Sequence, residues 1–159
     1  EKLKDFDFSE YDYWVANVSC PFMYDGVRYV PKIKEFADEC IKLGIDVTIG
    51  IIVRDKNINV EQQKRVRKEV TLPIALDYYY TNLLDYNVHF LDHEAFFLHK
   101  THYLKYVSKV LDFPVAYDNP DIMKFIVEDA NYKYVKYVDE HWLDKEVLDG
   151  IRTKKERNL

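Results

Sequence analysis

Hydrophobic and polar positions follow two rhythms along this chain. Short runs are apolar nearly throughout, and longer stretches return an apolar residue every three or four positions. Residues 1–10 form a polar lead-in. Tyr13–Ser19 (YWVANVS) is rich in β-formers and reads as a buried strand. Pro21 and Gly26 break it. From Pro31, apolar residues at Ile33, Phe36, Ala37, Cys40, Ile41 and Leu43 keep helical spacing against a charged face of Lys32, Lys34, Glu35, Asp38, Glu39 and Lys42. Pro31 suits the first turn of that helix and Gly44 its C-terminal cap. Val47–Val53 is apolar and β-branched, as expected of a strand covered on both faces.

After a polar loop, Asn59 to Val70 reads as a charged, weakly amphipathic surface helix. Leu72–Tyr78 is a third expected strand, with Pro73 near its start where proline is tolerated. Thr81 to Tyr86 reads as a turn or a single helical turn, and Val88–Leu91 as a fourth strand. The clearest helical pattern runs from about His93 to Leu111 through Phe96, Phe97, Lys100, Tyr103, Leu104, Val107, Val110 and Leu111, with Lys100 the one polar member. Phe113–Tyr117 is a fifth expected strand. Asn119, Pro120 and Asp121 then make a helix start: a cap, a first-position proline and an acid in the first turn. That helix is expected to end near Glu128 to Asn131. Tyr132–Val138 alternates as a sixth, edge strand would, and Asp139 to Arg157 closes the pattern as a helix or helix pair with a basic end. Alternating strands and helices imply a three-layer, Rossmann-like α/β sandwich with a mostly parallel five- or six-stranded sheet. The pattern holds no repeat or linker, so 1–159 read as one such domain.

Composition narrows the function classes. The chain has 159 residues, 48% hydrophobic and 32% charged, which suits a single folded domain. No apolar run approaches the roughly 18 residues of a membrane span, and the acidic start does not read as a signal peptide. A net charge of −5 argues against binding duplex nucleic acid by bulk charge. Two cysteines cannot form a disulfide framework or a four-thiolate metal site, so the cytoplasm is the expected location. Only 4 glycines are present, and no GxGxxG follows the first expected strand; no cofactor is expected.

In open parallel sheets, ligands lie at the carboxyl ends of the strands. That rule selects Ser19, Cys20 and the loop to Asp25 and Gly26; Arg54 and Asp55; Asp77 and Tyr78–Tyr80; Asp92, His93 and Glu94; and Asp118 and Asn119. Carboxylates, one imidazole and aromatic faces could hold a nucleoside by stacking and by bonds to ribose hydroxyls. The expected ligand-binding residues are Ser19, Asp25, Asp92, His93, Glu94, Asp118 and Asn119. A helix starting near His93 would also favour a phosphate there; the structural alternative is that Asp92 only caps that helix. His99 and His102 lie three apart, but no HExxH spacing is present, so no metal is expected. Cys20 has no histidine near it in sequence and reads as a structural thiol. Lys64–Lys68, flanked by Glu61 and Glu69, reads as a solvated face that could also meet an acidic partner.

Two stretches carry resemblances. Phe113–Tyr117, Asn119–Ile122 and Phe125–Val135, followed by a charged helix, resemble the end of the C-terminal half of GT-B glycosyltransferases. That half has a "PV" strand, a proline-led helix start and an aromatic-x-Val strand. The resemblance implies a nucleotide-sugar-binding half-domain over about 10–157, readable as motif over 113–150, with the acceptor half supplied in trans by a protein partner. The register of Pro114 places His99 and Val107 where that family carries an acid pair, so no catalytic residue follows from it. A second set, Val15–Val18, Asp25–Gly26, Glu35–Ala37 and Leu43–Gly44, resembles nucleoside deoxyribosyltransferases and would make Glu35 a nucleophile.

Overall fold

The computed structural model describes residues 3–126. The expected strand Tyr132–Val138 and the expected C-terminal helix lie outside these residues, as does much of the glycosyltransferase-like stretch. Two short 3₁₀ turns, Leu3–Asp5 and Phe8–Glu10, lead into a β-hairpin of β1 (Phe22–Tyr24) and β2 (Val27–Tyr29). Then come α1 (Ile33–Lys42), β3 (Thr48–Val53), α2 (Lys56–Arg67), α3 (Leu72–Asn82) and β4 (Asn87–Asp92). The described chain closes with α4 (His93–His99), α5 (Thr101–Leu111) and α6 (Pro120–Ile126).

The expected five- or six-stranded sheet is not present. The described residues form two sheets of two strands each, the antiparallel hairpin and a parallel pair, β3 with β4. Among the described residues the fold is mixed α/β and not a three-layer Rossmann-like sandwich. Each missing strand has a local reason. Tyr13–Ser19 has no regular secondary structure, because its aromatic residues are engaged elsewhere. Trp14 Nε1 donates to the carbonyls of Phe8 and Tyr11, and its ring meets Phe6 edge-on at 4.8 Å. Tyr13 packs edge-on against Phe113 at 5.4 Å. Leu72–Tyr78 lies in α3, whose first amides are held by a side chain of α2. Phe113–Tyr117 folds back on itself: Val115 N donates to Phe113 O and Tyr117 N to Val115 O, tight turns that leave no ladder.

The hairpin stands where the sequence pattern gives only a break at Pro21 and Gly26. Asp25 and Gly26 both take positive φ, 48° and 72°, which is the geometry a two-residue turn needs between twisted strands. An Asp–Gly pair between Phe22–Tyr24 and Val27–Tyr29 is the sequence signal for it.

Helix α1 and strand β3 lie where the spacing placed them. Ala37 and Cys40 are the buried members of α1. In β3, alternate residues Ile49, Ile51 and Val53 are covered, while Thr48, Gly50 and Ile52 are exposed; the strand is therefore not covered on both faces. The expected single helix from His93 to Leu111 is broken at Lys100 (φ 50°, ψ −123°) into α4 and α5. The buried apolar side chains are Ala37, Cys40, Ile51, Ile58, Ala75, Leu83 and Val107, drawn from α1, β3, α2, α3 with its cap, and α5. No helix among the described residues is long and apolar enough to cross a membrane.

Candidate functional site

The parallel pair sets the site's geometry. Its register runs from Thr48 opposite Asn87 to Val53 opposite Asp92. One step further, Arg54 and His93 leave the two strand ends at the same level, and Asp55 stands beside Glu94. The two exits are built alike. Asp55 caps α2, its carboxylate accepting from Asn57 N at 2.9 Å and Ile58 N at 3.0 Å. Asp92 caps α4, accepting from Ala95 N at 2.6 Å. In each case a short acidic side chain accepts from amides that a helix start leaves bare.

The edges are cross-tied. Asp55 N donates to Glu94 Oε2 at 3.1 Å, and Asp92 N donates to the Tyr103 hydroxyl at 2.6 Å. Burial pushes the Tyr103 hydroxyl above the usual phenol range, so it stays protonated at neutral pH. Arg54 donates to Gln62 Oε1 at 2.7 Å. His93 Nδ1 stands 4.0 Å from Glu94 Oε1; the atom is out of contact with solvent and has no hydrogen-bond partner. A buried ring nitrogen without a partner is unusual, because burying it costs free energy that a bond would offset.

The carboxylate at position 92 is thus committed to the cap, and α4 has only seven residues. A phosphate at the bare start of a long helix is therefore not what this edge provides. It presents an imidazole and carboxylate oxygens, which suit hydroxyl donors and heterocyclic ring edges.

The remaining predicted residues lie elsewhere. Ser19 and Cys20 line a cleft of about 900 Å³ alongside β3, and none of Asp92, His93 or Glu94 lines it. Burial raises the Cys20 thiol above its ordinary value, against the opposing effect of a hydrogen bond with Tyr79. Asp25 occupies the hairpin turn. Asp118 is exposed ahead of α6, and Asn119 Oδ1 accepts from Asp121 N at 2.8 Å, the helix start its sequence announced. Tyr78–Tyr80 lie on α3 and do not form one platform: Tyr78 accepts from Lys34 N, Tyr79 meets Cys20, and Tyr80 is exposed. Glu35 lies exposed in the first turn of α1. His99 and His102 fall on different helices, and among the described residues no three His, Cys, Asp or Glu side chains group to hold a metal.

Sequence reasoning missed Tyr103, which reaches the site only because the helix breaks at Lys100, and Gln63, which holds the start of α3. Neither contact has a local sequence signal.

No protein-family profile, curated protein or solved structure matches the chain.

Proposed function

We propose that the chain is a nucleotide-binding module whose ligand lies across the carboxyl ends of β3 and β4, with His93 touching the nucleoside. The single observation that carries this reading is His93 where two parallel strands end, its ring partly exposed and its buried Nδ1 without a hydrogen-bond partner among the described residues. Glu94, beside it, supplies carboxylate oxygens of the kind that accept from ribose hydroxyls. In its specific form the ligand is a nucleotide sugar and the module is the donor half of a glycosyltransferase. A protein partner would then supply the acceptor half. The support for that form is the sequence resemblance given above, and no catalytic residue is assigned.

A thermal-shift screen with UDP, GDP, ADP and NAD tests the class. A ligand at 100 times its dissociation constant adds about 2.7 kcal/mol to stability. For the ligand that responds, His93→Ala should weaken binding by about 1 kcal/mol, roughly fivefold, the worth of one net hydrogen bond. Calorimetry showing unchanged affinity in a folded His93→Ala protein would reject this placement, and no response to any nucleotide would reject the class.

A further inference from the structure

We propose that the cleft beside β3 is an acceptor groove for an extended, acidic peptide strand. It is separate from the nucleotide edge and does not depend on that reading. Every residue from Thr48 to Ile52 lines the cleft, although successive side chains of a strand point to opposite faces. The cleft therefore runs along the edge of β3, not over one face. That edge is open: β3 pairs with β4 on one side and with no strand on the other among the described residues. Alternate N–H and C=O groups of such an edge point outward as a template for another chain.

Val15 to Cys20, also in the lining, have no regular secondary structure, and their backbone amides make no hydrogen bond within the described residues. Apolar side chains of the lining remain uncovered: Val15 is 76% exposed, Ile52 69% and Phe36, from α1, 45%. A small apolar molecule would cover these side chains and leave the β3 edge unpaired. An added strand satisfies both, its backbone meeting the edge and its alternate side chains entering the apolar walls.

Charge selects the sequence of that strand. Arg67 and Lys32 line the cleft, and neither has a carboxylate partner among the described residues. Arg67 donates only to Thr71 Oγ1, at 2.8 Å. Asp46 is the one acidic residue in the lining. Acidic side chains on the incoming strand complement this surplus, and basic ones are repelled by it.

Three blocked hexapeptides test the proposal: valine alternating with glutamate, valine alternating with lysine, and the acidic peptide N-methylated at alternate residues. Fluorescence of Trp14, in a Trp142→Phe background, reports occupancy of the cleft, and hydrogen exchange reports the amides of β3. The acidic peptide should bind about tenfold or more tightly than the lysine peptide and slow exchange in Thr48–Ile52, and N-methylation should remove most of that affinity. Arg67→Glu should reverse the charge preference; Lys32→Glu, which leaves the Thr71 contact in place, should shift it the same way if Arg67→Glu does not fold. Equal binding of acidic and basic peptides, full binding of the N-methylated peptide, or no binding at millimolar concentration would each overturn the proposal. So would outward-facing β3 amides already protected without peptide, the signature of Tyr13–Ser19 closing on that edge itself.

Discussion

Replacing Gln63 by leucine should lower stability by about 2–3 kcal/mol, most of it from two backbone amides eight and nine residues away. Gln63 Oε1 accepts from Thr71 N at 2.7 Å and from Leu72 N at 2.9 Å. Its Nε2 donates to Asn59 Oδ1 at 2.8 Å, which fixes the amide so that the oxygen faces α3. Leucine keeps similar bulk and removes every polar contact. Each lost bond is worth about 1 kcal/mol net. Thr71 is 1% exposed, so its orphaned amide has little access to water, and that moves the total above the simple sum. Asn59 is only partly buried and can be resolvated, so its loss adds little. Gln63→Glu separates this account from simple loss of packing. It keeps the acceptor and places a negative charge at the start of α3, worth about 0.3–1 kcal/mol in favour. That offsets the lost donation to Asn59, and the variant should stay within about 0.5 kcal/mol of the parent. Urea unfolding followed by far-ultraviolet circular dichroism, with unchanged m, measures both. A leucine variant within about 0.5 kcal/mol of the parent, or a glutamate variant as unstable as the leucine one, would refute the capping role.

Two further outcomes follow from backbone and burial. Lys100 holds φ 50° and ψ −123°, a conformation at ease only for glycine, and its side chain makes no hydrogen bond or ion pair among the described residues. Lys100→Gly should therefore stabilise the protein by about 1 kcal/mol, the released strain exceeding glycine's entropic cost, and a loss of stability in urea would contradict this. Cys20, its thiol pushed up by burial, should alkylate in a Cys40→Ala background with a rate midpoint at higher pH than a short cysteine peptide. The fold favours the neutral thiol. Its contribution to stability is present below the ordinary thiol pKa and declines as pH rises through the folded value, because the unfolded chain loses the proton first. A midpoint at or below that of the peptide would contradict the burial.

What is local in this fold is legible in the sequence. The 3.6-residue spacing of Ile33, Phe36, Ala37 and Cys40 marked α1, the β-branched run Val47–Val53 marked β3, and Asn119 with Pro120 marked the start of α6. The carboxyl-end rule placed Asp92, His93 and Glu94 at a strand exit, where they are found. The failures are matters of partnership. Leu72–Tyr78 is a short apolar run whose composition serves strand and helix alike. What decides for helix is Gln63, in a different element. Tyr13–Ser19 has a strand's composition but no partner strand among the described residues, and composition does not report pairing. The carboxyl-end rule also groups Ser19 with the Asp92–Glu94 turn; without the expected sheet, Ser19 lines the cleft and the turn does not.

The break at Lys100 has a consequence for how the sheet can grow. In an unbroken helix, residue 103 would stand about 15 Å along the axis from its start, too far for a tyrosine to reach back. The reversal returns the Tyr103 hydroxyl to the last amide of β4. The carboxyl end of β4 is thereby stoppered, its final donor already spent on a side chain of the same molecule. Strand β3 has no such tie along its free edge among the described residues. The outer edge of β4 is likewise unpaired among the described residues, so the two edges differ at this carboxyl end and not along their length. Strand exchange or edge-to-edge aggregation should avoid that end, and a charge or a proline introduced on the β3 edge is a change that would suppress it there.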